Sequence, residues 1–492
     1  MNQTTADQSH ASPSPELLDL LVHEHVTQRL PRLDRLWRYF RNPLSGADDG
    51  DASHYQLGQE QGLPARLRHR TAAGDRPMRE RVVENDVAWR VHTLVDFMFG
   101  RQITIQSLAP QRDRAQWIDR FLRAVFEQQG GVSFFQDLAL LGSVYGHIDV
   151  LVHIDAPSTP TNVDDPREAA QRFRLELIEA PRAVPVLAPD DYRQLEAYVL
   201  HVRQQTNEVT PSPLLARMRN RMFGTHTSAR RAFVERTHVW SAESVREYRA
   251  APGSQGEHRK LVSEQVNRLG RIPVVHIQNL AQPYFYEGLS EVEPLIPLQD
   301  ELNTRLSDRA NRVTFQCFKM YLGKGIEQFI ERPIGPGQMW STDNPDASIQ
   351  EFGGDASNPS EEAHIREIRE AMDKASGVTP VAAGIIGGRV GNLTSAVALR
   401  TVLMGLIAKT QKKRITYGAG IERLCELLLH AADVHGLMPN EPDDRRVRID
   451  WPHPLPLSEH EQLQNARLKL DLGVSQHQVL TELGYGECAH TD

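Results

Sequence analysis

The chain has 492 residues, 40% of them hydrophobic and 24% charged, with a formal net charge of −8 and a pI near 6.2. That length suffices for roughly two to four domains with cores of their own. The acidic balance argues against a protein that grips nucleic acid tightly by its phosphates, because each such contact needs Lys or Arg.

No apolar run approaches the ~20 residues a membrane helix needs, and the polar N-terminus has no signal-peptide core. Cys317, Cys425 and Cys488 lie far apart and form no CxxC pair. A soluble intracellular protein with reduced thiols is expected.

Residues 1–15 are polar with Pro and Ser, and are expected to be disordered. A helix is predicted over 15–41 and a loop over 42–53. Asn85 opens a second helix with the apolar face Val87, Val91, Leu94, Val95 and Met98; Gly100 ends it, and 103–105 reads as a strand. Helices over 114–129 and 131–145 follow. The pattern then changes to short β-rich runs at 148–154, 173–179, 195–202, 232–240 and 272–277, separated by turn residues. These describe an antiparallel sheet domain with basic loops such as 217–231.

Helical spacing returns near Glu293, with Leu295, Leu298, Leu302, Leu306, Ala310, Val313 and Cys317 three or four apart. A compact β insert runs from Met320 to about Gly354, marked by turns at Gly335-Pro336-Gly337 and Asn344-Pro345. A helix over 360–376 carries Ile365, Ile368 and Met372 on one side. Next comes the glycine-rich stretch AAGIIGGRVG (382–391), then one very long helix over 392–436, opened by the capping residues of NLTS. Its apolar residues are Leu399, Leu403, Leu406, Tyr417, Ile421, Leu424 and Leu428. At 1.5 Å per residue it would be roughly 60–70 Å long, with Gly418 and Gly420 as places to kink. A helix of that length suits bracing a large assembly or ring. The chain is Pro-rich to Pro456, and helices are predicted to about Leu472 and from Gly473 to Gly484.

The chemical motifs are few. Gly384, Gly387, Gly388 and Gly391 lack the preceding strand and the Lys-Ser/Thr ending of a phosphate-binding loop, so a mobile loop at a helix start is expected. Arg389 is its one charged residue and the candidate for transient phosphate contact. His23 and His25 point to different helix faces and read as surface residues; neither they nor His147 and Asp149 have zinc-site spacing. No GxSxG, HExxH or Walker lysine is present, so no catalytic residue, metal or cofactor is expected. Lys409, Lys412, Lys413 and Arg414 form a basic cluster mid-helix, to be read either as a solvated face or as a ring of positive charge facing DNA or a neighbouring subunit.

Several segments together resemble the portal proteins of tailed bacteriophages, those of long-tailed siphophages in particular. NDVAWRVHTLVDFMFG (85–100) looks like the family's early helix. GRIPVVHI (270–277) is similar to the strand that closes its wing sheet. Residues 302–311, containing SDRAN, resemble the descending stem helix, and GNLTSAVAL (391–399) resembles the junction of tunnel loop and long helix. Many relatives have Ser-Gly where this chain has Ser395-Ala396. Leu457-Ser458-Glu459 and Gly473-Val474-Ser475 are like the C-terminal crown helices. The likeness covers most of 15–485.

The resemblance implies an α+β portal fold: a disordered tail (1–15), wing (16–292), stem helix (293–320), β-rich clip (321–358), second stem helix (359–376), tunnel loop (377–391), long wing helix (392–436) and crown (437–492). It also implies a dodecameric ring around a DNA channel at a capsid vertex, through which the genome is packaged and ejected. The implied partners are double-stranded DNA, the terminase large subunit, a head–tail connector, and the major capsid and scaffolding proteins, with no membrane. The place is the virion, with assembly in the host cytoplasm. The alternatives are a portal-like ring of a gene-transfer particle or defective prophage, and, less favoured, a nucleic-acid-processing enzyme, which would need a carboxylate motif or Walker lysine.

Overall fold

The computed structural model describes residues 13–42, 44–45, 56–57, 82–155, 163–210, 230–250, 259–317, 320–324, 345–352, 358–383, 400–453, 459–476, 479–480 and 483. The segments 384–399 and 325–344, and the basic loop through residue 229, lie outside them. The mixture of helix and antiparallel sheet expected from the sequence is present. Among the described residues no helix is long and apolar enough to cross a membrane.

The first helical region opens at Pro15, with Ser14 Oγ accepting from the Leu17 amide at 3.2 Å. It runs Pro15–Glu24, widens into a π turn at His25–Arg29, and continues as Leu30–Arg41 to the left-handed Asn42. Pro31 explains the widened turn. It lacks an N–H and its ring crowds the carbonyl four residues back, so the ladder shifts to an i→i+5 bond, Leu30 N–H to His25 O. The rotation turns His25 inward. It is 1% exposed, with Nε2 2.8 Å from Pro181 O, and is not the surface residue the sequence suggested.

Asp86–Phe99, Arg112–Gln128 and Val132–Tyr145 form where the sequence places them, to within two residues. All five expected apolar positions of the first are buried. The β-rich region is two antiparallel sheets. One has three strands, with His147–Ile154 between Phe173–Ile178 and Val274–Gln278. The other has five, in the order Lys260–Val266, Ser244–Ala250, Arg230–Trp240, Leu195–Thr210, Ala183–Leu187. Leu151, Ile178 and Val274 of the first pack with Tyr198, Leu200 and Trp240 of the second. Thr104–Ser107 pairs with the distant Val447–Asp450.

Ile296–Cys317 lies beside Pro359–Ser376, burying Leu302 against Ile365, Ile368 and Met372. Between them Met320–Lys324 pairs antiparallel with Ser348–Phe352.

Of the helix expected over 392–436, residues 392–399 lie outside the described residues, 400–402 are helical, and the longest stretch follows a turn at Leu403. It runs Met404–Val434, about 45 Å at 1.5 Å per residue. Leu403 precedes it at φ −91°, ψ 5°, with its side chain buried beside Leu94, Val378 and Leu406. The helix then passes unbroken through both glycines that were expected to permit a kink. Gly420 serves close packing instead, whereas Gly418 has room for a side-chain carbon. A Cβ on Gly420 would sit 2.5 Å from Ile277 Cγ1, and one on Gly418 3.8 Å from the Trp451 ring. Ile277 is fully buried and β-branched, so it cannot easily yield. Gly420→Ala is therefore expected to lose about 1 kcal/mol or more net, the clash outweighing alanine's helix preference of about 1 kcal/mol. A urea midpoint equal to or above wild type would show that Ile277 can move aside.

Candidate functional site: the base of the glycine-rich loop

Gly384, Gly387, Gly388, Arg389 and Gly391 lie outside the described residues. Both ends of their segment are described, and these converge on one cluster. Pro359–Ser376 ends in a left-handed cap at Gly377, φ +70°, whose amide donates to Asp373 O at 2.8 Å. A single 3-10 turn follows over Pro380–Ala383. Val378 is buried with Leu94, Leu403 and Leu406, and Ala382 packs against the same group. The described residues on either side of 384–399 thus meet on one apolar knot.

Two cations, buried Arg90 and half-buried Lys409, hold the backbone on either side of Gly377. Arg90, 2% exposed, donates from Nη1 to Asp373 Oδ1 at 2.9 Å and to Val378 O at 3.3 Å. Its Nη2 lies 3.6 Å from Asp86 Oδ2, and the guanidinium stands over the Trp89 ring. Burial lowers the Arg90 pKa, and the two aspartates oppose that. On the other side Lys409 Nζ donates to Ser376 O at 2.6 Å and to Glu291 Oε2 at 2.5 Å.

Glu291 is shared. Lys413 Nζ lies 3.2 Å from its Oε1 and 2.9 Å from Ser143 Oγ. Burial would raise the Glu291 carboxyl, but Lys413 and Lys409 outweigh it and hold it below its ordinary value. Burial lowers the Lys413 pKa.

The basic cluster expected on one helix face therefore splits. Lys413 is fully buried and Lys409 half-buried on Glu291, while Arg414 turns to Pro452 O at 2.8 Å and stacks on Trp451. Lys412 is the exposed member. Lys413, fully buried, is on no solvated face, and Lys409 and Arg414 are half-buried. Lysines four apart share a face, but that face is the one turned to the core.

A polar ladder joins the same region to the segment preceding the 86–99 helix. Gln299, Asn303 and Ser307, each four apart and buried, meet the main chain of every second residue from Val82 to Asp86. Gln299 Oε1 accepts from Asp86 N at 3.0 Å, Asn303 Oδ1 from Glu84 N at 3.0 Å, and Ser307 Oγ from Val82 N at 3.0 Å. Four helical residues rise about 6 Å and two extended ones about 6.6 Å, so the two repeats keep step.

A family model described as "Phage portal protein, SPP1 Gp6-like" matches residues 20–483. This chain belongs to that portal family. No significant match was found among curated proteins. Among solved structures the chain is similar to one titled "Virion of native gene transfer agent (GTA) particle", at 13% identity, TM-score 0.41, covering 81% of this chain and 89% of that one. It is also similar to "Neck of empty GTA particle computed with C6 symmetry", at 12% identity, TM-score 0.45, covering 81% and 90%.

The portal family is structural rather than enzymatic. The polar cluster of this portal chain that most resembles an active site is packing between its two sheets. Asp149 accepts from Tyr198 OH at 2.9 Å and Tyr286 OH at 3.1 Å, and lies 2.6 Å from His276 Nδ1. Burial would raise the Asp149 carboxyl; the charge and hydrogen bond of His276, together with His147 and Tyr198, bring it below its ordinary value. His147 is wholly buried, and burial lowers its pKa to about 4. Among the described residues no group of three or more His, Cys, Asp or Glu side chains is placed to hold a metal ion.

Arg90, Glu291 and the ladder were missed in the sequence. Arg90 did carry a signal: a charge among Val87, Val91 and Leu94 on an apolar face, one turn after Asp86, is the spacing of a buried i,i+4 pair. Glu291 carried none, because its partners lie 118 and more residues away.

Proposed function

We propose that this portal protein assembles as a closed ring of identical copies, a dodecamer, around a channel for double-stranded DNA at a capsid vertex of the virion, after assembly in the host cytoplasm. The observation that carries the reading is the family match across 20–483. Three features support it. The order helix, β hairpin, helix, loop, long helix suits a stem and clip below a wing. Met404 and Ile415 on the long helix, and Leu463, Leu468 and Leu472 near the C-terminus, are exposed apolar side chains that a neighbouring copy would cover. The net charge of −8 lets DNA slide rather than stick.

In this reading residues 321–358 dock the terminase motor and later the connector, 437–492 form the crown, and capsid and scaffolding proteins surround the wing. The loop with Gly384, Gly387, Gly388, Arg389 and Gly391 lines the channel, Arg389 touching phosphate once per subunit; exposed Lys412 is the remaining candidate of the basic cluster.

Electron microscopy and light scattering of the purified protein test the ring, which should persist on dilution. A stable mass near 55.6 kDa across a wide concentration range would overturn it. Arg389→Ala should leave the rings intact and reduce DNA retention in particles. Full retention by that variant would make Arg389 a solvated loop residue.

A further inference from the structure

We propose that Gly377 is a locked joint, held by Lys409 and Arg90, so that the chain does not pivot there between the 359–376 helix and the 380–383 turn. A glycine in left-handed conformation directly after a helix is a ready hinge, since it has no Cβ to restrict it. Here the carbonyls on both sides are tied to cations from two different helices, one buried and one half-buried. Lys409 of the long helix takes Ser376 O, and Arg90 of the 86–99 helix takes Val378 O. Ser376 Oγ also accepts from the Val378 amide at 3.1 Å, bridging the joint from within.

The charges match this task. Around Lys409 two ammoniums share one carboxylate, Glu291, leaving one positive charge in excess. That excess sits at the C-terminal end of Pro359–Ser376, where the helix dipole is negative and free carbonyls collect. Around Arg90 the imbalance is reversed, with two carboxylates for one guanidinium. Val378, beside the joint, is buried in the apolar knot with Leu94, Leu403 and Leu406. A rotation at Gly377 would strip both carbonyls from their donors and drag Val378 out of that knot. The inference does not rest on the channel reading; the joint itself is a property of one chain.

Amide hydrogen exchange on the purified full-length protein tests it. Lys409→Met keeps the aliphatic stem and leaves Glu291 paired with Lys413, so the fold should survive. Exchange across 377–383 is expected to rise about ten- to hundredfold, the value of a charge-assisted hydrogen bond, with 86–99 and the centre of the long helix unchanged. Lys409→Arg, which restores a donor, should bring most of that protection back. Gly377→Ala attacks the joint from the other side, through the cost of a left-handed alanine, and should raise exchange in the same segment about tenfold. Unchanged exchange over 377–383 in a folded Lys409→Met protein would overturn the proposal. So would a uniform rise everywhere, which would make Lys409 a general core residue. If Lys409→Met does not fold, the Gly377→Ala pattern decides alone: a local rise upholds the joint, and no rise or a global one removes it. None of these readings depends on DNA or on ring assembly, so their failure is separable from failure of the portal role.

Discussion

Replacing Glu291 by alanine is expected to cost about 3–5 kcal/mol of stability, the usual penalty for stripping one partner from a buried ion pair. Glu291 is 3% exposed and is the carboxylate for both Lys409 and Lys413. Without it Lys413, fully buried, keeps only the Ser143 hydroxyl at 2.9 Å. The ammonium can shed its proton, which limits the loss but does not abolish it. A double variant, Glu291→Leu with Lys413→Met, removes both buried charges together and should recover most of the loss, since an apolar pair of similar volume is often no worse than the ion pair. Urea denaturation of the two variants and wild type measures this. A Glu291→Ala protein within about 1 kcal/mol of wild type would show that water reaches Lys413.

Acidification should destabilise the protein well before its carboxylates protonate in bulk. Burial holds His147 and His201 down to a pKa of about 4, against 6.5 for a free histidine. Between those two pH values the unfolded chain binds protons that the folded chain refuses. Stability from these groups is therefore complete above pH 6.5 and is lost as the pH falls towards 4. Each histidine accounts for something on the order of 3 kcal/mol, at about 1.4 kcal/mol per tenfold change in proton affinity. His147→Leu should reduce the slope of stability against pH in this window by roughly one proton. Urea midpoints from pH 7 to 4.5 test it. Identical slopes for the variant and wild type would mean that His147 takes up its proton without penalty in the folded state.

The outlines of the fold were legible because they depend on local pattern. The apolar stripe of the 86–99 helix, the Asn85 cap, the strands at 148–154 and 173–179, and the order helix, β hairpin, helix, long helix all follow from spacing that the chain must satisfy to bury its apolar faces. Several strands escaped notice for an equally local reason. Lys260–Val266 is an exposed edge with apolar residues facing outward, and Val447–Asp450 is four residues long, with its partner more than three hundred residues earlier.

Composition and motif spacing by themselves determined the acidic balance, the absence of a catalytic signature and the likeness to portal proteins, because these depend on residue identity and order alone. The tertiary structure decided what the charges are for. Lys409, Lys413 and Arg414 look like an exposed basic run in one dimension, and only the approach of Glu291, Ser376 and Trp451 turns them inward. The same holds for Gly420, which is a weak point in an isolated helix and becomes a contact point once Ile277 packs on it. A charge or a glycine takes its meaning from what lies within a few ångströms, and for these residues those neighbours come from elements far away in the chain.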